Sequence, residues 1–172
     1  MNTGMDEHKM TFEEVLARDG SLVYKNRGDS MLPLIREGRD LLLIERPKEW
    51  DQLPEGSLAG KLRRFDVPLY RRDSGQYVLH RVLKVRERDY VLCGDNRYRK
   101  EMGIVDGHVI GVLTGIIRDG RELSLKVPGM RYRLYLFFWC RMFPVRAFLL
   151  WTKALPGRIV RRMRKARNFG ET

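Results

Sequence analysis

The chain has 172 residues, enough for one ordinary domain with an appendage, and 43% of them are hydrophobic, enough for a real core. Its formal net charge of +12 is unevenly spread: residues 128–172 hold eleven Lys and Arg against Glu171 alone, for +10, which leaves +2 for residues 1–127. No internal repeat or low-complexity block is present, which excludes a repeat array, and the concentrated basicity points to an anionic partner for the tail.

Residues 1–9 read as disordered, and no signal peptide is expected, because Asp6 and Glu7 stand where positive charge belongs and no apolar run follows. Thr11 and Glu14 form a capping box ahead of Phe12, Val15 and Leu16, so a short helix is predicted over Thr11–Arg18, ended by Asp19-Gly20. From Ser21 the pattern becomes β. Strands are predicted at Leu22–Tyr24 and Asp40–Ile44, with the turn Gly28–Pro33 between them leading into an extended run. Pro47–Gly60 is a polar loop. Phe65–Arg71 and Gln76–Val85 form a hairpin around Asp73-Ser74-Gly75, and Asp89–Cys93 is a further strand closed by Gly94-Asp95-Asn96. Asn96–Gly103 is a charged loop. Val109–Ile117 is the last strand of the body, where Gly111 and Gly115 mark a bulge or bend.

Many short strands with turn signals about every ten residues predict a mainly β body, a compact barrel or sandwich. The expected organisation is an N-terminal segment over 1–20, a β domain over 21–127 and an amphipathic basic helical tail over 128–172. In the tail, Arg131–Ala154 has helical spacing with Leu134, Phe138, Met142, Val145 and Leu149 on one face, Pro156-Gly157 breaks the pattern, and Ile159–Arg167 is a second, basic helix. Leu134–Trp151 contains Arg141, Arg146 and Pro144, and two central arginines cost roughly 2.5–3.5 kcal/mol each on insertion scales. An interfacial helix on an anionic membrane surface, through residues 131–167, is therefore expected over a true span. The rival for this charge is nucleic acid, but no recognised motif supports it.

Three pieces carry chemistry when taken in order: Gly28-Asp29-Ser30-Met31-Leu32-Pro33, then Tyr77-Val78-Leu79-His80-Arg81-Val82, then Gly94-Asp95-Asn96. Each alone is ordinary: a turn serine, a histidine on an apolar strand face, a turn tripeptide. Together, Gly-x-Ser-Met-x-Pro, His-Arg-Val and Gly-Asp-Asn resemble the type I signal peptidases, in the branch that uses His in place of the Lys of most bacterial enzymes. The resemblance runs from about Arg27 to Leu113. It implies the coiled, mostly antiparallel β-fold that this family shares with self-cleaving repressors, and a site on an apolar surface groove.

On that resemblance Ser30 matches the nucleophile, His80 the general base and Asp95 the partner that orients the base, while the Ser30 backbone N–H is an oxyanion donor. Gly28, Met31 and Glu101 are the supporting positions. Gly28 stands where the family often has a hydroxyl residue, Phe65 where it prefers Gly before Asp66, and Glu101 near a second Asp of the His-type relatives. The pairing is chemically sound, because a hydroxyl is a poor nucleophile at pH 7 until a neutral imidazole takes its proton. A Ser–Lys dyad through Lys84, which shares the His80 face by strand alternation, is the alternative. His108 reads as solvated and Cys93 as a strand-end residue.

Cys93 and Cys140 have no metal-ligand spacing and suit a reducing compartment; no metal or cofactor is expected. The expected function is a serine endopeptidase that cuts an exposed, extended leader or precursor peptide in a peptide or protein substrate. It would be membrane-associated at the cytoplasmic face, or cytoplasmic, since the family's usual N-terminal anchor is not expected here. The alternatives are a non-catalytic binding module of the same fold and a self-cleaving regulator.

Overall fold

The computed structural model describes residues 10–125 and 130–153. The expected disordered start, the junction at 126–129 and the basic helix Ile159–Arg167 lie outside the described residues.

Helix α1 (Phe12–Asp19) begins as its sequence requires: Thr11 and Glu14 exchange side-chain-to-backbone hydrogen bonds of 2.7 and 3.3 Å, and Gly20 ends it in a left-handed conformation, φ 72°. Among the described residues nine antiparallel strands follow: β1 (Ser21–Lys25), β2 (Leu41–Glu45), β3 (Pro68–Arg71), β4 (Tyr77–Leu79), β5 (Arg81–Val85), β6 (Tyr90–Cys93), β7 (Glu101–Ile104), β8 (Val109–Arg118) and β9 (Arg121–Ser124). The larger sheet runs β1-β2-β8-β3-β4, with β9 also on β8, and the smaller is β5-β6-β7. The result is a mainly β body whose large sheet curls into a half-barrel.

Two bulges in β8 make the curl. Its register jumps past Thr114 against β2 and past Ile110 against β3, and in each case the extra residue sits beside Gly115 or Gly111. Gly111 is also required by contact, since a Cβ there would lie 2.7 Å from Ile44 and 3.0 Å from Leu16 of α1. One core cluster joins α1 to the large sheet through Leu16, Leu42, Ile44, Leu69, Leu113 and Ile116; a second lies against the small sheet and includes Tyr70, Val82, Tyr90 and Leu92.

The chain departs from the sequence expectation in three places that shape the site. Gln76–Val85 is not one strand: it breaks at His80, where the chain leaves the large sheet for the small one, and Val82 pairs instead with Phe65 and Asp66 at 2.8 Å. Alternation therefore does not carry across His80, and Lys84, beyond a further register shift, is exposed rather than beside the histidine. The charged loop after Asn96 gives way to β7 at Glu101, and Gly28–Pro33 leads into a hydrogen-bonded turn, with Ile35 N–H donating to Met31 at 2.9 Å, rather than an extended run.

Helix α2 (Met130–Arg141) packs on the body, with Tyr132 in the first core cluster and Tyr135 and Leu136 against it. A second segment, α3 (Phe143–Lys153), meets α2 at 69° beside Pro144, which has no N–H to continue the ladder. Leu134, Phe138, Met142, Val145 and Leu149, the stripe visible in the sequence, all point outward and are about half exposed. No single described helix is long and apolar enough to cross a membrane.

Candidate active site

Ser30 follows edge strand β1, and His80 follows β4, the opposite edge of the curled sheet; the curl brings both to one open groove of about 530 Å³. The serine turn is held from several sides. Asn26, itself buried, donates to the Gly28 carbonyl at 3.1 Å, and Met31 anchors the turn in the core at 1% exposure. Asp40, fully buried, accepts from Arg118 at 2.7 and 2.6 Å and from Arg36 N–H at 2.7 Å, while Arg118 also donates to the Leu34 carbonyl.

The Gly94-Asp95-Asn96 turn locks onto the same loop. Asn96 N–H donates to the Ser30 carbonyl at 2.8 Å, and its side chain donates to the Asp29 carbonyl at 3.2 Å. Gly94 passes between the two candidate catalytic residues: a Cβ there would lie 2.6 Å from the Ser30 carbonyl oxygen and 3.1 Å from His80 Cδ2. Those two atoms are thus no more than about 6 Å apart. Among the described residues the Ser30 amide donates to nothing, which leaves it free to meet an oxyanion, and the Ser30 hydroxyl and His80 share the groove without a mutual hydrogen bond. Gly28 has φ 104°, so its turn demands a backbone that a hydroxyl residue adopts only under strain.

The partner of His80 differs from the sequence expectation. His80 Nδ1 lies 3.1 Å from the Tyr70 hydroxyl and 3.4 Å from Glu101 Oε2, while Tyr70 donates to that same Oε2 at 2.7 Å and Arg72 grips Glu101 with two 2.7 Å bonds. Burial works against ionisation of Glu101, but Arg72 and Tyr70 outweigh it and hold the carboxyl below its ordinary value. A carboxylate only accepts, so Tyr70 gives it its one proton and must accept from His80 Nδ1–H. Proton counting thus leaves Nε2 bare, the form a base requires. Burial, against the pull of Glu101, pushes His80 down to about 4, so the ring is neutral at pH 7.

Asp95 is correspondingly not the orienting residue. Its two oxygens are taken by the Arg81 guanidinium at 2.8 and 2.6 Å, the arginine having no exposure at all, and Tyr135 of α2 adds a third bond at 2.9 Å. Arg81 also donates to Tyr132 and to the Phe65 carbonyl, and Arg146 of α3 donates to the Asp95 carbonyl. The pair buttresses the site from behind: Arg81 adjoins His80 and Asp95 adjoins Gly94 in the chain. Phe65, with φ 79°, occupies a backbone shape that favours glycine.

Tyr70, Arg72 and Asn96 are the participants that sequence reasoning missed. Asn96 stood within the quoted tripeptide and Tyr70 within the quoted strand, but neither carries a signal of its role. Cys93 is buried, its thiol pushed up to about 11 by burial, with its one S–H within reach of the Arg97 and Arg99 carbonyls, surroundings that disfavour a thiolate nucleophile. His108 is not simply solvated: it accepts from Val105 N–H at 3.0 Å and lies 3.1 Å from Asp73. Among the described residues no group of three or more His, Cys, Asp or Glu could hold a metal ion.

No family model, curated protein or solved structure matches the chain.

Proposed function

We propose that this protein is a serine endopeptidase resembling signal peptidase I and sharing its fold type, acting on an exposed, extended peptide. The observation that carries this reading is the relay from Glu101 through Tyr70 to His80 Nδ1, beside Ser30 in one groove. In the reaction, Ser30 Oγ attacks the scissile carbonyl as His80 Nε2 takes its proton. The Ser30 N–H receives the oxyanion; the C–N bond then breaks and the leaving amine takes the proton from His80. Water, deprotonated by the same nitrogen, hydrolyses the ester and restores Ser30. A peptide lying between β1 and β4 has two open strand edges for main-chain pairing, with Tyr24 and Val78 among the residues at hand.

The outward face of α2 and α3 supports a membrane-surface location at the cytoplasmic face. Phe137, Phe138 and Phe148 are each about 60% exposed there, in a segment whose sequence continues into the basic run to Arg167.

A second reading, a peptide-binding module without catalysis, draws on the missing Ser30–His80 hydrogen bond. Replacing Ser30 with Ala decides between them. Cleavage of a quenched peptide library is expected to vanish while the circular dichroism spectrum and melting temperature stay unchanged. Equal turnover by the variant would sink the catalytic reading.

A further inference from the structure

The groove is far more cationic than the body around it. Residues 1–127 carry a net charge of only +2, yet the groove that holds Ser30 and His80 is lined by Arg27, Arg72, Arg97, Arg99 and Lys100 against two carboxylates, Asp29 and Glu101. Both carboxylates are already used: Arg97 pairs with Asp29 at 2.6 Å and Arg72 with Glu101 at 2.7 Å. Arg27, Arg99 and Lys100 are exposed and have no carboxylate partner among the described residues. The Arg99 and Lys100 side chains rest against the Tyr98 and Phe143 rings, at 5.9 and 5.1 Å. The Arg99 and Lys100 side chains come from the loop before β7 and Arg27 from the turn before Ser30, so the three cations reach the groove from two segments of chain.

A concave surface focuses such charge, and three cations without a carboxylate partner among the described residues, flanking the candidate nucleophile, repel basic peptides and draw acidic ones. We infer that the substrate of this site is an acidic peptide, with Asp or Glu side chains within a few residues of the bond that Ser30 attacks. This rests on the peptidase reading for the identity of the groove, and it names the class of peptide that the groove takes. Lys100 abuts α3 at Phe143, but the most exposed aromatic residues of α2 and α3, Phe137, Phe138 and Phe148, do not line the groove, so a peptide in the groove rather than lipid is the favoured owner of these charges.

The test uses the full-length chain and three sets of ten-residue quenched peptides, alike in their small central residues and flanked by Asp and Glu, by Asn and Gln, or by Lys. Cleavage is followed with the wild type, and binding by fluorescence anisotropy with Ser30→Ala. Acidic peptides are expected to lead their amide counterparts about tenfold in kcat/KM and in affinity at low salt, since each exposed pair adds little but three act together. The gap closes toward 0.5 M salt. The triple variant Arg27→Gln, Arg99→Gln, Lys100→Gln is expected to lose the preference. Acidic-selective binding to Ser30→Ala without any cleavage by the wild type upholds the inference and defeats the peptidase reading. Equal binding of all three sets, or none, overturns the inference even where cleavage occurs. If the triple variant instead keeps the peptide preference and loses sedimentation with phosphatidylglycerol vesicles, the charges belong to lipid and the inference fails.

Discussion

Glu101 and Asp95 lie six positions apart in the chain and hold opposite jobs, one facing the groove through Tyr70 and His80, the other buried against Arg81. Substituting them separates the jobs. Glu101→Gln keeps the shape but loses the charge that favours imidazolium and replaces one of two accepting oxygens with an N–H₂ donor, so kcat is expected to fall by about 10² or more. The acid limb of the pH–rate profile also moves to lower pH, a shift that a merely structural residue would not produce. Asp95→Asn instead strips Arg81 of its counter-charge, and breaking such a buried pair costs about 3–5 kcal/mol. Chemical denaturation is the measurement that shows it. His80 adds a pH dependence of its own. Its folded value of about 4 lies below the unfolded value near 6.5, so the unfolded chain binds the extra proton between them. Stability present above pH 6.5 is lost as pH falls toward 4, by up to about 3 kcal/mol, and a His80→Gln variant should show a correspondingly flatter profile in denaturant titrations. Cleavage by the wild type should persist through that range and fall only as pH drops through about 4, where Nε2 of the folded protein becomes occupied.

Helix α2 reaches the buried pair with Tyr132 and Tyr135, so the tail and the site share a foundation. Tyr135→Phe removes one donor to a buried carboxylate and is expected to cost about 1–3 kcal/mol, read from the denaturation midpoint. Elements differ in how legible they were. Thr11 and Glu14 announced α1 because a capping box is a local device, and Gly111 and Gly115 announced the β8 bulges because small residues there relieve local crowding. The break at His80 was hidden, since Gln76–Val85 is locally a good strand and only the pairing of Val82 with Phe65 and Asp66 divides it. β9 was hidden for a different reason: Arg121–Ser124 is exposed throughout and offers no alternation. The orienting carboxylate was the third case. Four acids, Glu87, Asp89, Asp95 and Glu101, follow His80 within about twenty residues, and whether Asp95 or Glu101 reaches it depends on where Arg81 and Arg72 carry their charges.

At the scale of the whole molecule, one groove and one apolar face divide the surface. Replacing Phe137, Phe138 and Phe148 together with Ser removes exposed apolar area without touching the packed side of either helix. Co-sedimentation with phosphatidylglycerol vesicles is expected to drop several-fold, while cleavage of a short soluble peptide is retained; unchanged sedimentation would remove the case for lipid contact through this face. The two surfaces are linked through Tyr132, Tyr135 and Arg146, which tie the helices to the residues directly behind His80 and Gly94. If the proposed function and location hold, a body moored by its outward helices would carry its scissile position at a set height above the mooring plane. On the proposed reading such an arrangement would work as a depth gauge, so that distance along an anchored chain, together with the acidic side chains near the bond, sets where the cut falls.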